Sequence, residues 1–299
     1  MSPLLEVRSL SFRPGPRPLV QDLSFTLEAG GPTGLIGLNG AGKTTTLRLL
    51  AGVLRPTTGS IRVAGLDLAR APLEAKARIG FQPDPPPLPD DLRVSEYLAH
   101  CAGLRGLRGR ALGDACRQAL EACGLGAVRR RLVGRLSQGM RRRLGIAQAL
   151  LHAPDLLLLD EPSAGLDPAQ AAEIRALIAA LGRSRGLLLS THLLHEVEGL
   201  CTRVLILRDG RLVHAGPVRP AGGEVFKVGL RRPPPEQALR ALPGVQETER
   251  LHTDCFRVRL APGADPARLA EALVGHGWGL RELSPADPGL ERLFLDLGA

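Results

Sequence analysis

The stretch Thr33-Gly-Leu-Ile-Gly-Leu-Asn-Gly-Ala-Gly-Lys-Thr-Thr-Thr-Leu-Arg-Leu-Leu-Ala51 decides the fold of this 299-residue chain. Its first part, Thr33–Leu38, reads as an apolar strand, and Lys43–Ala51 has the leucine spacing of a helix. The turn between them satisfies the pattern G-x-x-x-x-G-K-[ST], in which backbone N–H groups surround a phosphate. Glycine allows this approach because it has no Cβ in the way. We therefore expect a phosphate site where a strand runs into a helix.

The same pattern assigns a role to its side chains. Lys43 is one of only three lysines in the chain, and we expect it to reach the β- and γ-phosphates of a nucleotide. The hydroxyl of Thr44 is expected to bind Mg²⁺, and the start of the helix adds its positive end to the anion site. The residues expected to line the phosphates are Asn39, Gly40, Ala41, Gly42, Lys43, Thr44 and Thr45.

A second motif follows a continuous apolar run, Leu156–Leu159, which is typical of a central parallel strand buried on both faces. The strand is followed by Asp160 and Glu161. An aspartate at this strand end is suited to hold the Mg²⁺ shell beside the phosphate loop. We expect the neighbouring Glu161 to polarise an attacking water as a general base.

With the segment Leu136-Ser-Gln-Gly-Met140, these motifs bring a family into view. The first 217 residues resemble the nucleotide-binding subunit of ATP-binding-cassette transporters, and this segment resembles the family signature at the start of a helix. The resemblance implies that Ser137 and Gly139 contact the phosphates of ATP held by an opposite subunit. The catalytic unit is then a dimer of cassettes, for which we expect a homodimer.

Two further segments fit the same resemblance. Ser163–Asp167 is similar to the D-loop at the dimer seam. Ser190-Thr-His192 is similar to the switch whose histidine contacts the γ-phosphate, so the expected catalytic residues are Lys43, Glu161 and His192. The resemblance also implies ATP and Mg²⁺ as ligands.

The chain departs from the family at two positions. Where the family stacks an aromatic residue on adenine, this sequence has Pro14, with Phe12 two residues earlier. Where the family has its Q-loop glutamine, counting onward from Ile79-Gly-Phe81 reaches Asp84 and not Gln82. We expect Asp84 to coordinate water near Mg²⁺, which makes it the third candidate metal-site residue beside Thr44 and Asp160.

The pattern of elements predicts two domains. Residues 1–217 are expected to form an α/β P-loop NTPase domain, an ABC cassette with a mixed sheet core and a helical subdomain at about 85–153. Residues 218–299 show the order β-α-β-β-α-β of a ferredoxin-like α+β unit, closed by a helix at Leu290–Leu297. This tail resembles that of exporter ATPases that pair with a separate membrane permease.

Composition and charge limit the partners. The formal net charge is +9 and lies entirely in the first 217 residues, a pattern that suits nucleic acid, anionic lipid or an acidic protein. Five cysteines without Cys-x-x-Cys spacing indicate free thiols in a reducing compartment. The chain lacks a signal-peptide pattern and an apolar run long enough to span a bilayer. We therefore expect a cytoplasmic protein, peripheral on the inner face of the cell membrane.

The function that follows is ATP hydrolysis coupled to export of a substrate through a separate permease, with no nucleic acid as partner. The alternative is a soluble cassette ATPase acting on nucleic acid or ribosomes, whose relatives usually carry two cassettes or a long coiled coil. A P-loop kinase is a third class, but it leaves the signature segment and Ser190-Thr-His192 unexplained.

Overall fold

The computed structural model describes residues 3–218 and 224–285. It divides into two compact units, Met1–Val218 and Arg219–Ala299, and each has its own hydrophobic cluster. Among the described residues, no helix is long and apolar enough to cross a bilayer.

The first unit is built from two sheets and seven α-helices among its described residues. Its strands are β1 (Leu5–Phe12), β2 (Val20–Leu27), β3 (Pro32–Ile36), β4 (Thr58–Val63), β5 (Leu66–Asp67), β6 (Ile79–Gln82), β7 (Leu156–Asp160), β8 (Gly186–Thr191), β9 (Arg203–Arg208) and β10 (Arg211–Pro217). Its helices are α1 (Lys43–Leu50), α2 (Pro72–Ala77), α3 (Val94–Leu104), α4 (Gly109–Ala122), α5 (Gln138–Leu150), α6 (Pro168–Gly182) and α7 (Leu194–Leu200).

The larger sheet carries the strand ends that matter for chemistry. Its order is β10-β9-β3-β8-β7-β6, and all neighbours are parallel except the antiparallel edge strand β10. Every residue of β3, β7 and β8 is buried, as expected for parallel strands covered on both faces. The mixed sheet predicted from the sequence is confirmed. Because β3, β7 and β8 are adjacent and parallel, their carboxyl ends meet at one edge.

The smaller sheet is antiparallel, with the order β2-β1-β4-β5. It shares one hydrophobic cluster with α1 and the larger sheet, represented by Leu10 of β1, Leu47 of α1 and Leu158 of β7, none of which is exposed. Burying such a leucine contributes about 1.5–3 kcal/mol. The cluster therefore holds α1, and the loop that precedes it, rigidly against the sheet.

Sequence patterns predicted no element between Gly52 and Val94, but the structure has β4, β5, α2 and β6 there. Strand β4 escapes detection because only Ile61 and Val63 are fully buried in it. Gly59 also has a φ of +90°, and the pairing with β1 shifts register nearby. Such a bulge interrupts the alternation on which strand prediction depends.

The predicted helical region after Val94 consists of α3, α4 and α5, with short 3₁₀ turns at Gly126–Val128 and Val133–Arg135. The three helices pack on one another, and α5 also packs on β6 of the larger sheet. Helix α5 therefore connects this region directly to the strand ends.

The second unit contains β11 (Val225–Leu230), α8 (Glu236–Arg240), β12 (Val245–His252), β13 (Cys255–Leu260), α9 (Pro266–Gly275) and β14 (Leu280–Pro285). The sheet order is β12-β13-β11-β14, and every neighbouring pair is antiparallel. Two interleaved βαβ units give this order, in agreement with the predicted succession of elements. The helix predicted at Leu290–Leu297 lies outside the described residues.

Candidate nucleotide-binding and hydrolysis site

The loop between β3 and α1 is shaped for an anion. Gly40 and Gly42 have φ values of +83° and +100°, which side chains other than glycine rarely adopt. A Cβ on Gly42 would also lie 2.7 Å from the carbonyl oxygen of Leu19. Gly42 is the N-cap of α1 and provides no side-chain cap, so first-turn N–H groups remain available to a ligand.

The side chains predicted to line the phosphates lie along this loop. Ala41 and Lys43 are buried, Thr44 and Thr45 are half-buried, and Asn39 is exposed. The Nζ of Lys43 lies 2.8 Å from the carbonyl oxygen of Gly37. It also lies 3.7 Å from a carboxylate oxygen of Glu161. The lysine is therefore held between the loop and the end of β7.

Asp160 ends β7 and contacts residues of both α1 and β8. Its Oδ1 accepts hydrogen bonds from Thr44 Oγ1 at 3.1 Å and from Ser190 Oγ at 2.6 Å. Its Oδ2 is buried and has no hydrogen-bond partner among the described residues. Leaving a buried charged oxygen unpaired costs free energy unless a cation or donor reaches it. Thr44 and Asp160, which the two sequence motifs assign to magnesium, are thus in direct contact.

Glu161 and His192 also meet. The Nδ1 of His192 lies 3.0 Å from Oε2 of Glu161, although 31 residues separate them in the chain. Glu161 has a φ of +42°, a left-handed conformation that costs a non-glycine residue of the order of 1–3 kcal/mol. Its N–H donates to Ser190 Oγ at 3.0 Å, which holds the carboxylate at the strand end.

Ser190 is a functional residue that sequence reasoning missed. It appears in the segment before His192, but no role followed from the motif. Its hydroxyl donates to Asp160 and accepts from the Glu161 N–H. The parallel register places Ser190 beside Asp160. Only knowledge of that strand pairing could have revealed this bridge.

The signature segment lies at the start of α5. Ser137 is the N-cap, and its Oγ accepts from the N–H of Met140 at 3.3 Å. Gly139 donates its N–H to Oε1 of Gln170 in α6 at 2.9 Å, a contact that the sequence did not predict. Within the part of the chain that the structure describes, neither Ser137 nor Gly139 hydrogen-bonds to the residues around Asp160. Ser137 is exposed, which suits contact with another molecule.

Asp84 is not brought to the magnesium pair. Its carboxylate forms an ion pair with the buried guanidinium of Arg142 in α5. No hydrogen bond joins Asp84 to Thr44 or Asp160 among the described residues. This ion pair neutralises the carboxylate, and the expected contact of Asp84 with a water near Mg²⁺ stays a prediction. Gln82, at the end of β6, is fully buried, and its amide has no partner in the described chain.

The two candidate positions for adenine differ in environment. Phe12 ends β1 and packs against the hydrophobic cluster. Pro14 lies in the exposed loop that follows. Stacking of the base on either residue stays a prediction.

The glycine-rich loop between a buried parallel strand and α1, with an acid at the end of a neighbouring strand, defines a P-loop nucleoside triphosphatase. The model of the family described as "ABC transporter" matches residues 20–164. The chain belongs to this family as one of its ATP-binding subunits, and it is an ATPase.

Individual relatives agree with this assignment. The chain is 32% identical to the uncharacterized ABC transporter ATP-binding protein YdbJ of Bacillus subtilis over 98% of its own length and 94% of that protein. It is 38% identical to the Nod factor export ATP-binding protein I of Burkholderia lata, covering 71% of this chain and 70% of the relative. A solved structure of an ATP-binding subunit of an ABC transporter superposes with a TM-score of 0.64 at 31% identity, covering 72% of this chain and 90% of the other. These relatives favour the transporter class over a soluble ATPase acting on nucleic acid.

Proposed function

We propose that the chain is the ATP-hydrolysing subunit of an exporter, working on the inner face of the membrane with a separate permease. The observation that carries the chemistry is the contact network of Thr44, Asp160, Ser190, Glu161 and His192 at one edge of the larger sheet. Export is supported by the relative from Burkholderia lata, which is named a Nod factor export ATP-binding protein. A separate permease is supported by the similar solved structure, which is described as the ATP-binding subunit of an ABC transporter.

Magnesium fits the residues present. The buried Oδ2 of Asp160 has no partner among the described residues, and the neighbouring Thr44 hydroxyl supplies a second hard oxygen ligand. We assign Mg²⁺ to Thr44 and Asp160, and we assign to Asp84 a water molecule near the ion. The ion neutralises charge on the phosphates and orients them when bound.

The chain's own residues divide the remaining work. The N–H groups of Asn39–Thr45 bind phosphate oxygens, and Lys43 exchanges its contact with the Gly37 carbonyl for a phosphate contact. Glu161 accepts a proton from the attacking water. Its backbone is held by Ser190, and its carboxylate lies beside His192. His192 donates to Glu161 or to the γ-phosphate and so aligns the carboxylate with the nucleotide.

A second subunit completes the site. Ser137 and the first turn of α5 are assigned to the phosphates of ATP bound by the opposite chain, and we propose a homodimer. The exposed position of Ser137 supports this role. Contact with the opposite chain also explains why, within the described residues, Ser137 makes no hydrogen bond to the residues around Asp160 of the same chain.

The proposed subunit consists of an ATPase domain and an accessory domain. Residues 1–217 form the ATPase domain, and residues of about 85–153 form its helical subdomain, which faces the permease. Residues 218–299 form an accessory domain for subunit contact or regulation. The alignment with YdbJ covers nearly the whole chain, which supports the accessory domain as part of this kind of subunit.

Glu161→Gln tests the proposal. The amide keeps the shape of the side chain but is not basic, so the variant should bind ATP, lose turnover and accumulate as an ATP-bound dimer. Lys43→Ala is the matched control, because it removes phosphate affinity and should fail to dimerise. Dimers are measured by light scattering with Mg-ATP, and binding is measured with a fluorescent ATP analogue. Wild-type turnover by Glu161→Gln would refute the assignment of the base.

Purification from membranes tests the partner. A co-purifying integral membrane protein that stimulates the ATPase supports export. Stimulation by nucleic acid at low salt, without a membrane partner, would contradict it.

A further inference from the structure

Glu196, in the first turn of α7, is a buried carboxylate to which neither the sequence motifs nor the proposed chemistry assigns a role. Only 3% of its surface is exposed. Acidic side chains are almost never this buried unless they are paired, because desolvating a charge is costly. The partners of Glu196 therefore indicate why the acid is there.

Two hydroxyl groups, one from the turn after β7 and one from the end of β8, converge on one oxygen of Glu196. Its Oε2 accepts from Ser163 Oγ at 2.7 Å and from Thr191 Oγ1 at 3.1 Å. Both hydroxyl residues are themselves buried. The other carboxylate oxygen lies 3.6 Å from the guanidinium of Arg175 in α6. Both carboxylate oxygens of Glu196 thus contact polar groups of the surrounding protein.

The two hydroxyl residues flank the proposed catalytic pair. Ser163 follows Glu161 by two residues, and Thr191 directly precedes His192. Thr191 Oγ1 also accepts from the N–H of Leu193 at 3.1 Å, which leaves its proton for Glu196. Glu196 therefore ties the backbone after Glu161 to the backbone before His192. These are the two segments whose side chains meet at 3.0 Å.

We propose that Glu196 is a positioning residue that sets the distance between Glu161 and His192. This inference rests on the proposed function, since it assumes that the Glu161–His192 pair acts in hydrolysis. Glu196 does not touch the reacting atoms, because its contacts are Ser163, Thr191 and Arg175. It acts by fixing the segments of Ser163 and Thr191, whose misplacement by about 1 Å would cost about 100-fold in rate.

Substitution of Glu196 tests this assignment in the full-length chain. Glu196→Ala should lower kcat for Mg-ATP about 100-fold and leave the Kd for a fluorescent ATP analogue unchanged, because the phosphate loop is untouched. Glu196→Gln should keep most of the activity, since its amide oxygen still accepts from both hydroxyls. His195→Gln is the matched control. His195 is exposed on the same helix and has no side-chain hydrogen bond within the described residues, so kcat should not change.

A merely structural role would give a different result. If Glu196 acts through the pair, adding Glu196→Ala to His192→Ala should lower kcat little further, whereas independent effects would multiply and overturn the proposal. Wild-type kcat in a folded Glu196→Ala chain would also overturn it.

A variant without the carboxylate could fail to fold. In that case Ser163→Ala and Thr191→Val test the proposal, because each substitution removes one hydroxyl that donates to Glu196. Loss of kcat with unchanged analogue binding supports the proposal, and wild-type kcat in both overturns it. A separate result would contradict the proposed function itself. In that case Lys43→Ala would retain binding of the ATP analogue.

Discussion

Ser190→Ala removes the hydroxyl that joins Asp160 to Glu161. The side chain is fully buried, and its oxygen lies 2.6 Å from Asp160 Oδ1 and 3.0 Å from the Glu161 nitrogen. A hydrogen bond to a charged group contributes about 1.5–3 kcal/mol, and a buried N–H left without a partner costs about 1–3 kcal/mol. The structure around the new alanine relaxes in part, so the full sum of these two costs is not reached. We therefore expect the free energy of unfolding to fall by about 2–4 kcal/mol.

The same substitution should also slow hydrolysis. The N–H of Glu161 loses the contact that helps to hold this residue at a φ of +42°, so the carboxylate is less well aligned. We expect kcat to fall about tenfold, which corresponds to about 1.4 kcal/mol of lost transition-state stabilisation. The assays are urea unfolding followed by circular dichroism and steady-state release of phosphate.

Ser60→Ala is a suitable control for this prediction. Ser60 is also a serine in a strand, and it is half-buried without a side-chain hydrogen bond among the described residues. If Ser190→Ala changes the free energy of unfolding and kcat no more than Ser60→Ala does, the bridging role of Ser190 is wrong.

Three other substitutions or treatments have defined outcomes. Gly42→Ala would place a Cβ 2.7 Å from the Leu19 carbonyl oxygen at a φ of +100°, so we expect weaker binding of a fluorescent ATP analogue, and unchanged affinity would refute the steric argument. Arg142→Met leaves the carboxylate of Asp84 without its cation and the Ala164 carbonyl without its donor. It should lower the free energy of unfolding by about 1–3 kcal/mol, with a smaller loss when Asp84 is already alanine. Burial raises the pKa of Cys123 to about 12, which keeps the thiol protonated at pH 8, and alkylation of the native chain there should be far slower than in urea.

The phosphate site was largely predictable from the sequence because its information is local. The glycines before Lys43 lie between a strand and a helix that adjoin in the chain. Asp160 and Glu161 follow an apolar run that can only be a buried strand. The prediction of one magnesium site for Thr44 and Asp160 required one further step, that the strands preceding them, β3 and β7, belong to one parallel sheet.

Other features depended on side chains that no motif marks. Arg142 lies one position from other arginines in α5, and nothing in the sequence indicates that this arginine turns inward to Asp84. The sequence therefore did not predict the ion pair of Asp84, and its expected contact with a water near Mg²⁺ stays a prediction. Nothing in the sequence distinguishes Gln170 from other helical residues. In the structure its side-chain oxygen accepts a hydrogen bond from the N–H of Gly139.

The sequence by itself determined the class of fold, the phosphate loop and the acids at the end of β7, because neighbours in the chain supply these features. Tertiary structure alone decided that Ser190 bridges Asp160 and Glu161, and that Glu196 accepts hydrogen bonds from both Ser163 and Thr191. The contacts of Ser190 with Glu161 and of Ser163 with Glu196 join residues about 30 positions apart. They exist only because strand register and the packing of α7 bring the residues within hydrogen-bonding distance, and no spacing along a chain encodes such a distance.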